Sequence, residues 1–147
     1  MYDPQETFAA LAQLEVDGIG VQFSTSAVIE MRDNVNLSEK LATFTDHWSP
    51  RTVAHLNNYD VMVVKVKDEF VWHKHDDADD FFLVLKGVLD IQMRDGTITL
   101  GPGEMYVVPK GVEHRPVARE EVHILLIEPT GTPNTGDAKT AAPRKTA

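Results

Sequence analysis

Val21, Phe23, Thr25, Ala27, Ile29 and Met31 alternate along the chain with polar neighbours such as Gln22, Ser24, Ser26 and Glu30. A period of two predicts a strand with one face buried. Ahead of it, Asp3-Pro4-Gln5-Glu6 has the form of a helix start: a capping aspartate, a proline at the first helical position and a glutamate three residues after the cap. The pattern predicts a short helix ending near Glu15, before Gly18 and Gly20. Asn36-Leu-Ser-Glu39 repeats the capping logic and predicts a second short helix, LSEKLATF.

From Thr52 onward the pattern shortens. Brief β-rich runs are separated by turn signals at Asn57-Asn58, Lys67-Asp68, Gly87, Asp95-Gly96, Gly101-Pro102-Gly103 and Pro109-Lys110-Gly111. Asp95-Gly96, between LDIQMR and TITL, is a hairpin signal, because glycine supplies the positive φ that a tight turn needs. Seven or eight short strands with a turn about every 8–12 residues predict an all-β sandwich or barrel. Beyond Pro129 the residues TGTPNTGDAKTAAPRKTA include no large apolar side chain, which predicts a flexible tail. The expected organisation is an N-terminal extension over 1–34, a barrel over 35–131 and a tail over 132–147. There are no internal repeats.

Composition narrows the function. At 147 residues, 42% hydrophobic and 25% charged, the chain fits one globular domain. A net charge of −9 argues against nucleic acid and anionic membrane as partners, since both reward basic surfaces. The absence of cysteine excludes disulfides, a thiol nucleophile and thiolate ligands, so a metal would be held by histidine and carboxylate. Neither a signal peptide nor an apolar run of about 20 residues is visible, so the expected location is the cytoplasm.

The chemistry concentrates in FVWHKHDDADDFF, residues 70–82. On a strand, His73 and His75 point to one face about 6–7 Å apart, close enough to bind one ion, while Trp72 and Lys74 point away. By itself an H-x-H pattern is weak. Asp80, however, opens the apolar run FFLVLKG on the face shared with Phe82 and Val84, where a carboxylate is costly unless paired or coordinated. Further on, GPGEMYVVPKGVEH ends at His114, with Pro109 and Gly111 fixing the loop just before it. A histidine pair, a carboxylate and a distant histidine make a candidate four-ligand set.

From the paired histidines onward, His73 to Gly87 resembles the first motif of the cupin superfamily, G-x5-H-x-H-x(3,4)-E-x6-G. Gly103 to His114 resembles the second, G-x5-P-x-G-x2-H, at each named position. From Asn36 to Asp137 the chain is similar to small single-domain bacterial cupins often labelled mannose-6-phosphate-isomerase-like, a group without a demonstrated reaction. The resemblance implies a double-stranded β-helix, the jelly-roll barrel of cupins, preceded by one or two short helices. Two features depart from the pattern. Asp80 stands where glutamate is usual, one methylene shorter; if it falls short, the site becomes three-histidine, as in thiol dioxygenases of the superfamily. Lys67 or Asp68 replaces the first motif's opening glycine, and Ala118 replaces the second motif's final asparagine.

The expected cofactor is one divalent ion (Fe, Mn, Ni or Zn) on His73, His75, Asp80 and His114. Alternation places Val71, Phe82 and Val84 on the cavity wall, and few candidates for an inward acid or base stand out. Two function classes follow: a metalloenzyme on a small organic molecule (oxygenase, isomerase or lyase), or a non-catalytic cupin that binds or senses one. A sugar-phosphate isomerase would need basic residues at the rim, with Lys65, Lys67, Arg94 and Arg115 available. His47, His55 and His123 read as ordinary polar or packing residues, and Trp48 and Trp72 as core or interface anchors. The Val21 to Met31 strand is expected to add to a sheet edge in a homodimer.

Overall fold

Asn36 caps the first element: its side-chain oxygen accepts the backbone N–H of Glu39 at 3.1 Å, which starts α1 (Leu37–Leu41). The computed structural model describes residues 34–147. The expected first helix and the Val21 to Met31 strand lie outside the described residues. Helix α1 is shorter than the predicted LSEKLATF and anchors itself through Leu41, which packs with Phe44 and Val63.

Eight strands follow: β1 (Arg51–Leu56), β2 (Tyr59–Glu69), β3 (Asp80–Lys86), β4 (Leu89–Met93), β5 (Gly96–Leu100), β6 (Met105–Val108), β7 (His114–Pro129) and β8 (Lys145–Thr146). The sheet order is β5-β4-β7-β2-β1-β8, with β3 pairing both β6 and β7. This is an all-β jelly roll. The 16-residue β7 closes it, pairing with β4 over its first residues and with β3 over its later ones, while β2 runs beside most of its length. Register shifts between Val66 and Asp68 in β2 and between Val84 and Lys86 in β3 bend the sheet there, as bulges do.

Strict alternation fills the barrel. Met62, Val64 and Val66 point inward from β2, Phe82 and Val84 from β3, and Ala118, Val122, Ile124 and Leu126 from β7, to meet Leu89, Ile91, Leu100 and Val108. Ile124 is 1% exposed, so truncating it to alanine costs about 2–5 kcal/mol through lost contacts and the cavity left behind.

Two turn expectations resolve differently. Asn57-Asn58 links β1 to β2 in a two-residue turn, with Asn57 at φ 53°, a left-handed conformation asparagine tolerates. The β4–β5 hairpin is present, but Met93 pairs with Gly96, so its turn is Arg94-Asp95. Gly96 is the first residue of β5 and does not supply a positive φ.

Residues 132–147, expected from composition to be flexible, are placed against the barrel. Lys145 and Thr146 pair in parallel with Arg51 and Thr52 of β1. Arg144 donates to the Thr132 carbonyl at 2.8 Å, and Gly136 lies hard against the Lys74 carbonyl. Backbone and long polar side chains make this docking, and neither is visible to a reading based on apolar residues.

Candidate metal centre

His73 and His75 do not lie in a regular strand. They sit in an extended segment between β2 and β3 that pairs with β7 at one point, where His73 and His114 exchange backbone hydrogen bonds of 3.0 and 2.9 Å. Across the pair the extended backbone keeps the expected alternation: His73 and His75 are buried, and Lys74 between them is exposed. The Pro109–Gly111 turn is tied in when the Gly111 N–H donates to the His75 carbonyl at 2.8 Å. One backbone network therefore fixes all three histidines. Asp80, the first residue of β3, completes the cluster from the facing side.

His73, His75, Asp80 and His114 are all buried, and each offers one ligand atom within 4.8 Å of the others. Asp80 Oδ2 lies 2.9 Å from His114 Nε2 and 3.2 Å from His75 Nε2. The shorter side chain thus reaches the imidazoles, because β3 begins at the cluster itself. Asp79 points away, as alternation requires, and accepts the Lys110 N–H at 2.9 Å.

The outer ring nitrogens set the tautomers. His73 Nδ1 lies 2.9 Å from the Val71 carbonyl and His114 Nδ1 2.9 Å from that of Val112. A carbonyl only accepts, so each Nδ1 carries a proton and each ring turns its Nε2 toward the cluster. Metal-binding histidines are commonly oriented in this way. The His75 Nε2 contact with Asp80 is out of line for a hydrogen bond, so His75 Nε2 and Asp80 Oδ1 are buried polar atoms without a partner. Leaving such a group unpaired costs about 1–3 kcal/mol, a cost that a shared cation would remove.

Electrostatics agree with the donor set. Burial pushes His73 down to about 4, against a smaller upward pull from the Val71 carbonyl, so it is neutral near pH 7. Burial alone would raise Asp80, but the His114 and His75 rings beside its Oδ2 outweigh that and hold the carboxyl well below the usual range. Neutral imidazoles and an ionised carboxylate are the forms that bind a divalent cation.

A cavity of about 40 Å³ adjoins the cluster on the side of His73 and Asp80. Its wall includes Trp48, Phe70, Val64, Phe82, Pro116, Ile124 and Leu126, with Glu128 and Asn134 as further polar members. Of the expected lining residues, Phe82 is present. Val71 is not, because the segment twists there and leaves it 54% exposed, and Val84 lies deeper, packed among core residues. Trp48, expected to be an anchor, lines the cavity and stacks on Phe70 at 4.6 Å between ring centroids. Trp72 faces outward beneath the Arg94 guanidinium, 3.8 Å from its ring centre.

Glu128 is an inward acid absent from the candidate residues named above. It is 4% exposed, and burial followed by the nearby Asp80 charge raises it to about 8, so it holds its proton near pH 7. Arg144 Nη2 stands 3.9 Å away. Alternation carried the signal: Val122, Ile124 and Leu126 face inward, and Glu128 is next in that series. Asp60 shows the same pattern before Met62 and Val64; it accepts from Thr130 at 2.9 Å and lies 3.6 Å from Arg144. The other histidines contact carboxylates outside the cluster: His55 lies 3.0 Å from the buried Asp60, while His47 and His123 flank the exposed Glu121 at 2.9 Å each.

Comparison with known proteins fits this geometry. The Cupin domain family matches residues 60–128, which span β2 to β7. A cupin-2 domain protein from Shewanella frigidimarina is 54% identical over 65% of this chain and 93% of its own, with a TM-score of 0.64. A Neisseria meningitidis protein is 30% identical, covers 67% of this chain and all of its own length, and has a TM-score of 0.61. The uncharacterized Bacillus subtilis protein YdbB is 32% identical over 54% of this chain, which spans 65% of that relative, just under two thirds. A jelly roll of this order, a buried three-histidine, one-aspartate cluster and a relative matched over nearly its whole length together place the chain in the cupin superfamily, as a small cupin.

Proposed function

We propose that this cupin is a divalent-metal-dependent enzyme acting on a small organic molecule, with His73, His75, Asp80 and His114 as the ligands. The observation that supports it most is the buried convergence of three histidine rings on Asp80, with His75 Nε2 and Asp80 Oδ1 left unpaired. Three imidazoles and a carboxylate suit Fe(II), Mn(II), Ni(II) or Zn(II). Such an ion, when bound, polarises an oxygen of the substrate as a Lewis acid.

The apolar wall excludes water from the reacting end of the ligand, and the Trp48–Phe70 stack gives it a flat surface to lie against. Glu128 lines the same cavity with its proton in place, positioned to give it to a ligand oxygen or carbon and take it back. The reaction class, oxygenase, isomerase or lyase, is set by which small molecule enters.

Sugar-phosphate chemistry is disfavoured. Lys65 donates to the Phe44 carbonyl at 2.7 Å, Arg115 holds Gln92 and Glu69, and Arg94 pairs with Glu113 over Trp72. Lys67 is exposed and is not part of the cavity wall.

The test is reconstitution with each of the four metals, followed by oxygen uptake and product analysis across small acids, enols and hydroxy ketones. Metal-dependent turnover is expected, with Glu128→Gln keeping its metal and losing at least about a hundredfold in kcat. Ligand binding without turnover by any loaded form would assign the alternative, a non-catalytic binding cupin.

The same reading takes the protein as a cytoplasmic homodimer. No helix of the described residues is long and apolar enough to cross a membrane. Exposed Leu56, Tyr59, Met105 and Val107 support a covered outer face. Light scattering of the chain with and without residues 1–34 tests the dimer and the part its first residues play in it.

A further inference from the structure

Its polar and apolar walls narrow what this cavity can hold. Asp80 and Glu128 are the acids that face it, and among the described residues no lysine or arginine does. The basic side chains nearby are engaged elsewhere: Lys65 on the Phe44 carbonyl, Arg144 beside Asp60 and Glu128, and Lys74 on Asp76 at 3.1 Å. A phosphate or dicarboxylate entering here would meet two acids and no basic side chain.

Size is the second constraint. A water molecule needs about 10–15 Å³ of such space, so a cavity of about 40 Å³ holds three or four non-hydrogen atoms. The space is closed in part by the C-terminal segment. Asn134 of that segment lines the cavity, donates to the Trp48 carbonyl at 3.3 Å and accepts the Ala142 N–H at 2.9 Å. Both ends of its amide are therefore used to hold the segment in place. Phe82, Ile124, Leu126 and the Trp48–Phe70 stack give the remaining surface no polar atom for a sugar hydroxyl to bond.

Resting on the metal-centre reading above, we infer that the ligand is a short-chain molecule with a neutral or singly charged oxygen-bearing head that meets the metal and an apolar body of about two to four carbons that fills the wall. Polyols, sugar phosphates and dianions are disfavoured, because the wall beyond the cluster offers only Glu128 and the already engaged Asn134 to their extra oxygens and no basic side chain.

The test uses the full-length protein reconstituted with Zn(II), with bound zinc measured first. Acetohydroxamate and butyrohydroxamate share one chelating, at most singly charged head and differ by two methylenes. Calorimetry compares them, and glucose 6-phosphate, inorganic phosphate and mannose are then tried as competitors. Each buried methylene contributes about 0.8 kcal/mol, close to fourfold, so butyrohydroxamate is expected to bind about fifteenfold tighter, with no displacement by the competitors. Equal affinities, no binding of either hydroxamate to the zinc form, or displacement by glucose 6-phosphate or phosphate would each overturn the ligand class while leaving the metal centre standing. Failure to take up zinc, with Fe, Mn and Ni refused as well, would instead remove the metal centre, and the ligand class with it.

Discussion

Asp80 Oδ2 stands 2.9 Å from His114 Nε2, although 34 residues separate them in the chain. The contact joins the start of β3 to the start of β7 and makes the carboxylate a member of the histidine cluster instead of a residue behind it. Replacing Asp80 with asparagine keeps the shape and removes the charge. Metal affinity should fall by at least about tenfold in competition titrations with a chelator, as the only anionic ligand is lost. An unchanged affinity would mean that three histidines suffice.

Glu128 gives the metal-free protein a characteristic pH dependence. Its carboxyl sits at about 8 in the fold against an ordinary 4.5, so the folded state carries the extra proton between those values. Its contribution to stability is complete below about 4.5 and is lost as pH rises through about 8. His73 acts oppositely: at about 4 in the fold against 6.5 outside it, it makes the unfolded state bind the extra proton in that interval. Stability from His73 therefore falls as pH drops from 6.5 toward 4. Above pH 6.5 only the Glu128 effect of this pair remains. Chemical denaturation should show declining stability from pH 6.5 to 8.5, and Glu128→Gln should flatten that decline.

Gly136 tests how firmly the C-terminal segment is seated. Its φ is +75°, and a Cβ there would collide with the Lys74 carbonyl, between His73 and His75. Gly136→Ala should destabilise the segment by about 1–3 kcal/mol and raise hydrogen exchange over residues 131–147. It should also expose the cavity near Asn134. If the substitution changes neither exchange nor melting temperature, the docking of this segment is not as drawn.

Arg144 offers an independent handle on the same segment. Its guanidinium lies near the buried carboxyls of Asp60 and Glu128 and donates to the Thr132 carbonyl. In Arg144→Ala the segment loses these contacts, and metal extraction by a chelator should speed up several-fold at unchanged equilibrium affinity. An unchanged extraction rate would separate the segment from access to the cavity.

The four members of the buried cluster were legible in the sequence, because an alternating pair, an acid opening an apolar run and a turn-fixed histidine are all local patterns. The barrel was legible for the same reason, with strands and turns repeating at short intervals. Glu128 was overlooked although alternation from Ile124 and Leu126 pointed to it, because an acid after an apolar strand also reads as the strand's end. The inward turn of Trp48 was not legible at all, since it depends on stacking against Phe70, 22 residues away in the chain. Nor was the C-terminal docking, which rests on backbone pairing and Arg144 and involves no large apolar side chain.

The central claim is that three histidines and Asp80 hold one metal ion. Elemental analysis of the purified, untagged protein beside His75→Ala and Asp80→Ala tests it most directly, with circular dichroism to show that each variant is folded. The account predicts close to one transition-metal ion per chain in the parent and loss of that metal in both variants. A folded parent that carries no metal, even after reconstitution with Fe, Mn, Ni and Zn, would contradict it.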